Sequence, residues 1–220
     1  MTTRFTNCTG GVSTGAFASL NLGTHVGDAP ADVARNRAIL AEKVGPVQFM
    51  NQVHGDRIAI IEQVTDEDPT ADALVTGIPG IALAVMVADC IPLLLKSPEA
   101  VAAVHVGRKG LVNNVTRKTL ELMRDMGATQ ITAIIGPAIC GTCYEVSEEI
   151  HREVIATHPF ADSRTSSGSF ALDLPAALRS VLSDEGVAIV NKFQCTVESS
   201  DLFSYRRDGV TGRQAGVISL

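Results

Sequence analysis

The sequence has no tryptophan, and its 220 residues include only two tyrosines and seven phenylalanines. A chain that is nonetheless 45% hydrophobic has to build its core from Val, Ile, Leu and Ala. It lacks a membrane-length apolar run: the longest, residues 78–88, is about 11 residues, where a helical span needs about 20. It has no Lys/Arg-rich tail or stripe, and its formal net charge is −6. That argues against nucleic acid as a partner and leaves room only for a local basic pocket. Residues 1–11 are polar, with Arg4 but no apolar h-region, so a cytoplasmic location without a membrane partner is expected. The five cysteines are an odd number, which suits reduced thiols, some of them ligands, better than a disulfide framework. Neither GxGxxG nor GxxxxGK[ST] occurs, which excludes a dinucleotide fingerprint and a P-loop. There is no fixed-period repeat and no low-complexity segment.

The length suits one large domain or two small, closely fused ones. Residues 2–27 are glycine-rich and turn-rich; if this lead-in faces a substrate, Asn21 and His25 are its polar candidates. Residues 28–44 predict a helix, with Pro30 near its start and Gly45-Pro46 ending it. Short strands are expected over 47–50 and 57–63, then an exposed acidic turn over 66–72. Apolar strand-like runs follow from Ile81 and over 91–95 and 101–105. Helical spacing begins after Gly110 and ends at Gly127. A strand over 131–135 leads to a cysteine-bearing loop, CGTCYEV. Ser147 is placed to cap a helix over 148–157. Residues 163–169 read as a polar loop, 172–182 as an apolar helix with Pro175 in its first turn, and 187–190 as a strand; another short strand closes the chain. Strands interspersed with helices predict a mixed α/β or α+β layered fold.

Two apolar runs stop on reactive side chains. IALAVMVADC ends in Asp89 and Cys90, and VAAVH ends in His105. With His54 in NQVHG, these supply a Cys/His/His set that suits zinc and leaves a fourth position open. The spacings, 36 and 15 residues, match no standard finger. The same residues allow a Cys90 thiolate paired with His105 as nucleophile and base, with Asp89 orienting the histidine or acting as a base itself. Lys109 and Arg108 follow His105 and precede a helix, which suits phosphate or carboxylate as well as it suits a solvated charge pair. Arg37 and Asn51 are further polar candidates. Cys140-Gly141-Thr142-Cys143 is a CxxC, but Pro137 is not adjacent to it and no HxE precedes it, so the zinc-deaminase signature is not met. Cys8 and Cys195 receive no role.

Taken together, GGVSTG, SLNLGTHVGD, NQVHG, DALVT, ADCIPLLL, AAVHVGRKG, IIGPAIC…CYEV and FSYRRDGVTGR resemble the YfiH/DUF152 family, also called the laccase-domain or multicopper polyphenol oxidase family. The likeness runs through nearly the whole chain in order. It implies a single α+β domain over residues 1–220, a layered sandwich of mixed β-sheets flanked by helices. It implies His54, Cys90 and His105 as metal ligands, and zinc rather than copper. It implies purine nucleosides and inorganic phosphate as substrates: phosphorolysis of adenosine, methylthioadenosine and inosine or guanosine, and deamination of adenosine. Asp89, Cys90, His105 and Lys109 are the catalytic candidates on this reading. Asn21, Arg37, Asn51, Lys109 and Tyr144 are the substrate-binding candidates, and a monomer is the default. A cysteine-type amidase editing peptidoglycan precursors, a polyphenol oxidase and a non-catalytic zinc protein remain the alternatives. The oxidase is disfavoured because five histidines are too few for a mononuclear copper site plus a trinuclear cluster. The chain departs from the family where HAGWRG becomes His105-Val106-Gly107-Arg108-Lys109-Gly110, and where Cys140 replaces the usual glycine of the cysteine loop.

Overall fold

The computed structural model describes residues 2–220. From the N-terminus it runs β1 (Thr2–Phe5), α1 (Pro30–Val44), β2 (Val47–Gln48), β3 (Ile58–Ile60), β4 (Ala73–Thr76), β5 (Ala82–Val87), β6 (Ile91–Lys96), β7 (Val101–Val106), α2 (Arg108–Val112) and α3 (Val115–Asp125). It continues through β8 (Thr132–Ile135), α4 (Glu148–Thr157), β9 (Asp162–Arg164), β10 (Phe170–Leu172), α5 (Leu174–Asp184), β11 (Ala188–Asn191), α6 (Tyr205–Asp208) and β12 (Gln214–Ser219).

The local signals explain where the helices begin and end. Pro30 occupies the first turn of α1, and Gly45 ends it at a φ of 87° that favours glycine. Ser147 accepts from the Ile150 N–H at the start of α4, and Asp173 accepts from Ala176 N–H at the start of α5; such caps are each worth about 1 kcal/mol. The helix expected after Gly110 starts earlier, at Arg108, and is split in two by Asn114 in the left-handed region. The expected loop over 163–169 is the turn of the β9–β10 hairpin, with Arg164 opposite Phe170. The turn-rich lead-in contains β1, which pairs antiparallel with β12, Thr2 opposite Ser219. Its partner lies at the other end of the chain, so no local pattern announces it.

Two sheets carry the fold. One has the order β1-β12-β5-β2 and the other β11-β8-β6-β7-β4-β3; the hairpin stands apart. Antiparallel pairs fill their centres, and β2–β5, β3–β4 and β8–β11 pair in parallel at the edges. The strands alternate strictly. In β6, Leu94 enters the layer between the sheets with Leu83, Val85 and Ile218, while Leu93 and Leu95 face the layer shared with α3 and α5. In β5, Ala82, Ala84 and Met86 face outward beneath Leu40 of α1. The order is helix, sheet, sheet, helices. The apolar runs are continuous because both faces of each central strand are covered. Replacing Leu94, wholly buried, by Ala would cost roughly 2–5 kcal/mol.

Candidate metal centre and substrate cavity

The alternation of β7 determines where His105 points. Val101 and Ala103 face the layer between the sheets, and His105 shares their parity at the end of the strand. Its neighbour in the sheet is Asp72, just before β4, whose carbonyl accepts the His105 N–H at 2.8 Å. The Asp72 carboxylate, fully buried, gathers four donors. Its Oδ1 accepts from His105 Nδ1 at 2.8 Å and from His54 N at 2.9 Å; its Oδ2 accepts from Gly55 N at 2.6 Å and Val53 N at 3.3 Å. Burial alone would raise this carboxyl, but the hydrogen bonds from His105 and Gly55 outweigh it and hold it below its ordinary value. A carboxylate so held requires the proton of His105 on Nδ1, which leaves Nε2 to serve as a ligand. The same carboxylate compensates the left-handed backbone of His54, φ 58°.

Cys90 sits at the sharp turn between β5 and β6, after Asp89 with its φ of 98°. The ligand atoms of His54, Cys90 and His105 all lie within 4.8 Å of one another. Cys90 Sγ is 3.8 Å from His54 Nε2, and the two imidazoles meet edge to face with centroids 4.6 Å apart. Gly107 makes the room: a Cβ there would stand 3.0 Å from Cys90 Sγ and 3.2 Å from His54 Cδ2. One thiolate and two imidazoles converging on a side-chain-free space fit a borderline divalent metal. Burial works against a Cys90 thiolate, yet the His105 charge and hydrogen bonds from both histidines bring the thiol down to about 6. Burial also opposes an imidazolium at His105, while Cys90 and Asp72 push it up to about 9.

These residues open into a cavity of about 570 Å³, within the range of small-molecule sites. It is lined by Met86, Val87, Ile139 and the ring of Tyr144, and by the polar side chains of His25, Tyr205, Arg206 and Arg213. Arg213 donates from Nη1 to the carbonyls of Thr211 and Gly212, both at 2.9 Å, and among the described residues it makes no ion pair with a carboxylate. Burial lowers its pKa. Burial and then the Arg213 charge also lower His25, which keeps that imidazole neutral near pH 7. Arg206 reaches the Glu145 carbonyl at 2.9 Å, with its guanidinium 5.3 Å from the centre of the Tyr144 ring.

Of the residues expected at the site, His54, Asp89, Cys90, His105 and Tyr144 line this cavity, and the glycine-rich lead-in supplies His25. Four others do not line it. Lys109 is exposed on α2 and is not among the residues lining the cavity. Arg37 pairs with Asp68 at 2.9 Å and stacks on Phe49 at 3.9 Å, which fixes the acidic loop against α1. Asn51 is exposed and reaches Thr70 at 3.3 Å. Asn21 is fully buried; its Oδ1 accepts from Gly23 N and Arg213 N at 2.9 Å, so it supports the backbone of a cavity residue. The Asp89 carboxylate accepts from Thr196 Oγ1, Ser204 Oγ and Arg206 N at 2.6–2.7 Å, tying the C-terminal segment to the turn that carries Cys90.

The sequence reading missed Asp72 and the arginines. It placed Asp72 in an exposed acidic turn; the available signal was its position between alanines at the head of an apolar strand. Arg206 and Arg213 lie in FSYRRDGVTGR, and nothing local distinguishes them from solvated cations.

The family model described as "Multi-copper polyphenol oxidoreductase laccase" matches residues 2–220. A Corynebacterium glutamicum protein named purine nucleoside phosphorylase is 44% identical over 98% of this chain and 93% of its own length. The crystal structure of a Neisseria meningitidis protein of the DUF152 family superimposes with a TM-score of 0.91 at 41% identity, covering 99% of this chain and 93% of the other. That of YlmD from Geobacillus stearothermophilus gives 0.88 at 34%, covering 99% and 90%. The chain belongs to the YfiH/DUF152 family of laccase-like proteins.

Proposed function

We propose that this protein is a zinc-dependent purine nucleoside phosphorylase of the cytoplasm that also deaminates adenosine. The observation that carries the reading is a Cys/His/His set opening into a cavity lined by the Tyr144 ring and by Arg213, which among the described residues pairs with no carboxylate. Relatives named purine nucleoside phosphorylase, 41–45% identical over nearly the whole chain, support the substrate class. Zinc held by His54, Cys90 and His105 would supply Lewis acidity at an open fourth position.

The chain's own residues supply the rest. Tyr144 and Met86 offer a flat apolar surface for the purine. Burial, and then the charge of Cys90, raises the Tyr144 pKa, so its hydroxyl remains a donor at neutral pH. Arg213, seconded by Arg206, binds inorganic phosphate in the role expected of Lys109. A phosphate oxygen attacks the anomeric carbon. The glycosidic C–N bond breaks with its electrons going to the base, which takes up a proton, and ribose 1-phosphate forms. Asp89 acts as a positioning residue, its carboxylate oxygens already engaged by three donors.

Incubating zinc-loaded protein with adenosine, methylthioadenosine, inosine or guanosine tests this. Release of free base only when phosphate is present is the expected result; no base from any of them would overturn it. One observation favours a second reading as an amidase: Asp72 orients His105 beside Cys90, the order of a Cys-His-Asp hydrolase. That reading requires activity to survive, or increase, on chelation, because a ligating thiolate is not free to attack.

A further inference from the structure

Three of the five cysteines converge in a second cluster, separate in its residues from His54, Cys90 and His105. Cys140 and Cys143 lie in the loop after β8, and Cys195 and Glu198 in the segment after β11. The three sulfurs and a Glu198 carboxylate oxygen all fall within 4.8 Å of one another. None of the three cysteines is in a disulfide. The same oxygen, Glu198 Oε1, stands 3.9 Å from Cys140 Sγ and 3.8 Å from Cys143 Sγ.

We propose that Cys140, Cys143, Cys195 and Glu198 form a second, structural metal site that takes one thiophilic divalent cation of the zinc class. Both ligand pairs have the i, i+3 spacing that places two ligands on one tight turn. In the first turn, the N–H groups of Cys143 and Tyr144 return to the Cys140 carbonyl, both at 3.1 Å. The backbone also ties the two turns together: Ala138 N donates to the Gln194 carbonyl and Thr196 N to the Ala138 carbonyl, both at 3.1 Å. Sulfurs around zinc at about 2.3 Å would lie about 3.8 Å apart, so a contraction of less than about 1 Å completes the tetrahedron.

Four protein ligands leave no open position, so this ion does no chemistry on a substrate. Its position gives it another task. Ile139 and Tyr144, on either side of the CxxC, wall the cavity. Thr196, next to Cys195, holds Asp89 at 2.6 Å, and Asp89 precedes Cys90. The cation clips together two loops that shape the substrate cavity and support the ligand turn, while sharing no residue with the first centre.

Metal analysis and cobalt substitution test the proposal independently of catalysis. Protein purified under reducing conditions and loaded with zinc should bind two ions per chain. A His54→Ala/Cys90→Ala/His105→Ala variant, which leaves the second cluster untouched, should retain one. Its cobalt form should show thiolate charge-transfer absorption about three times that of a Cys143→Ser/Cys195→Ser variant, in which Cys90 ligates alone. Zinc should raise the Tm of the first variant, and far-UV circular dichroism establishes that each variant is folded. The proposal fails if the first variant binds no ion or gains no stability from it. It fails equally if the second variant binds as many ions as the wild type, or if mass mapping of the protein as purified, before any reduction, finds Cys140 disulfide-linked to Cys143 or Cys195.

Discussion

Asp72 Oδ1 lies 2.8 Å from His105 Nδ1, and both side chains are buried. The same carboxylate takes the N–H groups of Val53, His54 and Gly55, so one acid orients the imidazole of one candidate ligand and fixes the backbone of another. An Asp72→Asn variant replaces an acceptor with a group that can present a donor to His105. Its zinc affinity should fall about 10–100-fold, measured by competition with a chromophoric chelator. Unchanged affinity would remove Asp72 from the centre.

The same residue gives a pH signature. Asp72 is held below its ordinary value in the folded state, so the unfolded chain binds the proton more readily. The stabilisation is full above the unfolded-state pKa, about 3.9, and is lost as the pH falls through the lower folded value. Chemical denaturation of metal-free protein from pH 6 downward should show stability decreasing more steeply in the wild type than in Asp72→Asn.

Gly107 is required for space, not for backbone freedom, since its φ is −88°. In Gly107→Ala the new methyl would press on Cys90 Sγ and His54 Cδ2. The variant should fold with an unchanged far-UV spectrum and lose roughly tenfold or more in zinc affinity. Wild-type affinity would show that the ligands yield at little cost.

The anion site distinguishes two arginines from a lysine. Loss of a charge-assisted hydrogen bond to phosphate costs about 1.5–3 kcal/mol, roughly 10–150-fold. Arg213→Met should raise the KM for phosphate by such a factor, and Lys109→Ala by less than about threefold. The opposite ranking would return phosphate to α2.

Cys90 should be the most reactive thiol of the metal-free protein. Its pKa of about 6 makes it a thiolate at pH 7, and alkylation should increase as pH rises through about 6, against about 8.5 for an ordinary cysteine. Peptide mapping after iodoacetamide locates the label, and zinc should suppress it. Labelling that first rises above pH 8 would contradict the His105 pairing.

Cys90 and His105 were legible as candidate ligands because they end apolar runs, where a strand leaves the core. The α1, α4 and α5 boundaries were legible because Pro30, Ser147 and Asp173 act on N–H groups within a few residues of themselves. Other features had no such signal. Strand β1 depends on pairing with β12. Asp72 looks like its acidic neighbours until β7 covers it. Arg213 and Lys109 are both cations in the sequence, and only the fold places the first on the cavity lining and leaves the second off it.

By itself, the amino-acid order determined the periodicities, the helix stops and the chemical types available to a site, since these follow from interactions among near neighbours. The tertiary structure decided which of those types meet. Asp89 reaches Ser204 across 115 positions, and Cys140 finds Glu198 across 58. Contacts of that range are set by how two sheets and their helices bury their faces together, and burial also decides which carboxylate orients a ligand and which remains in water.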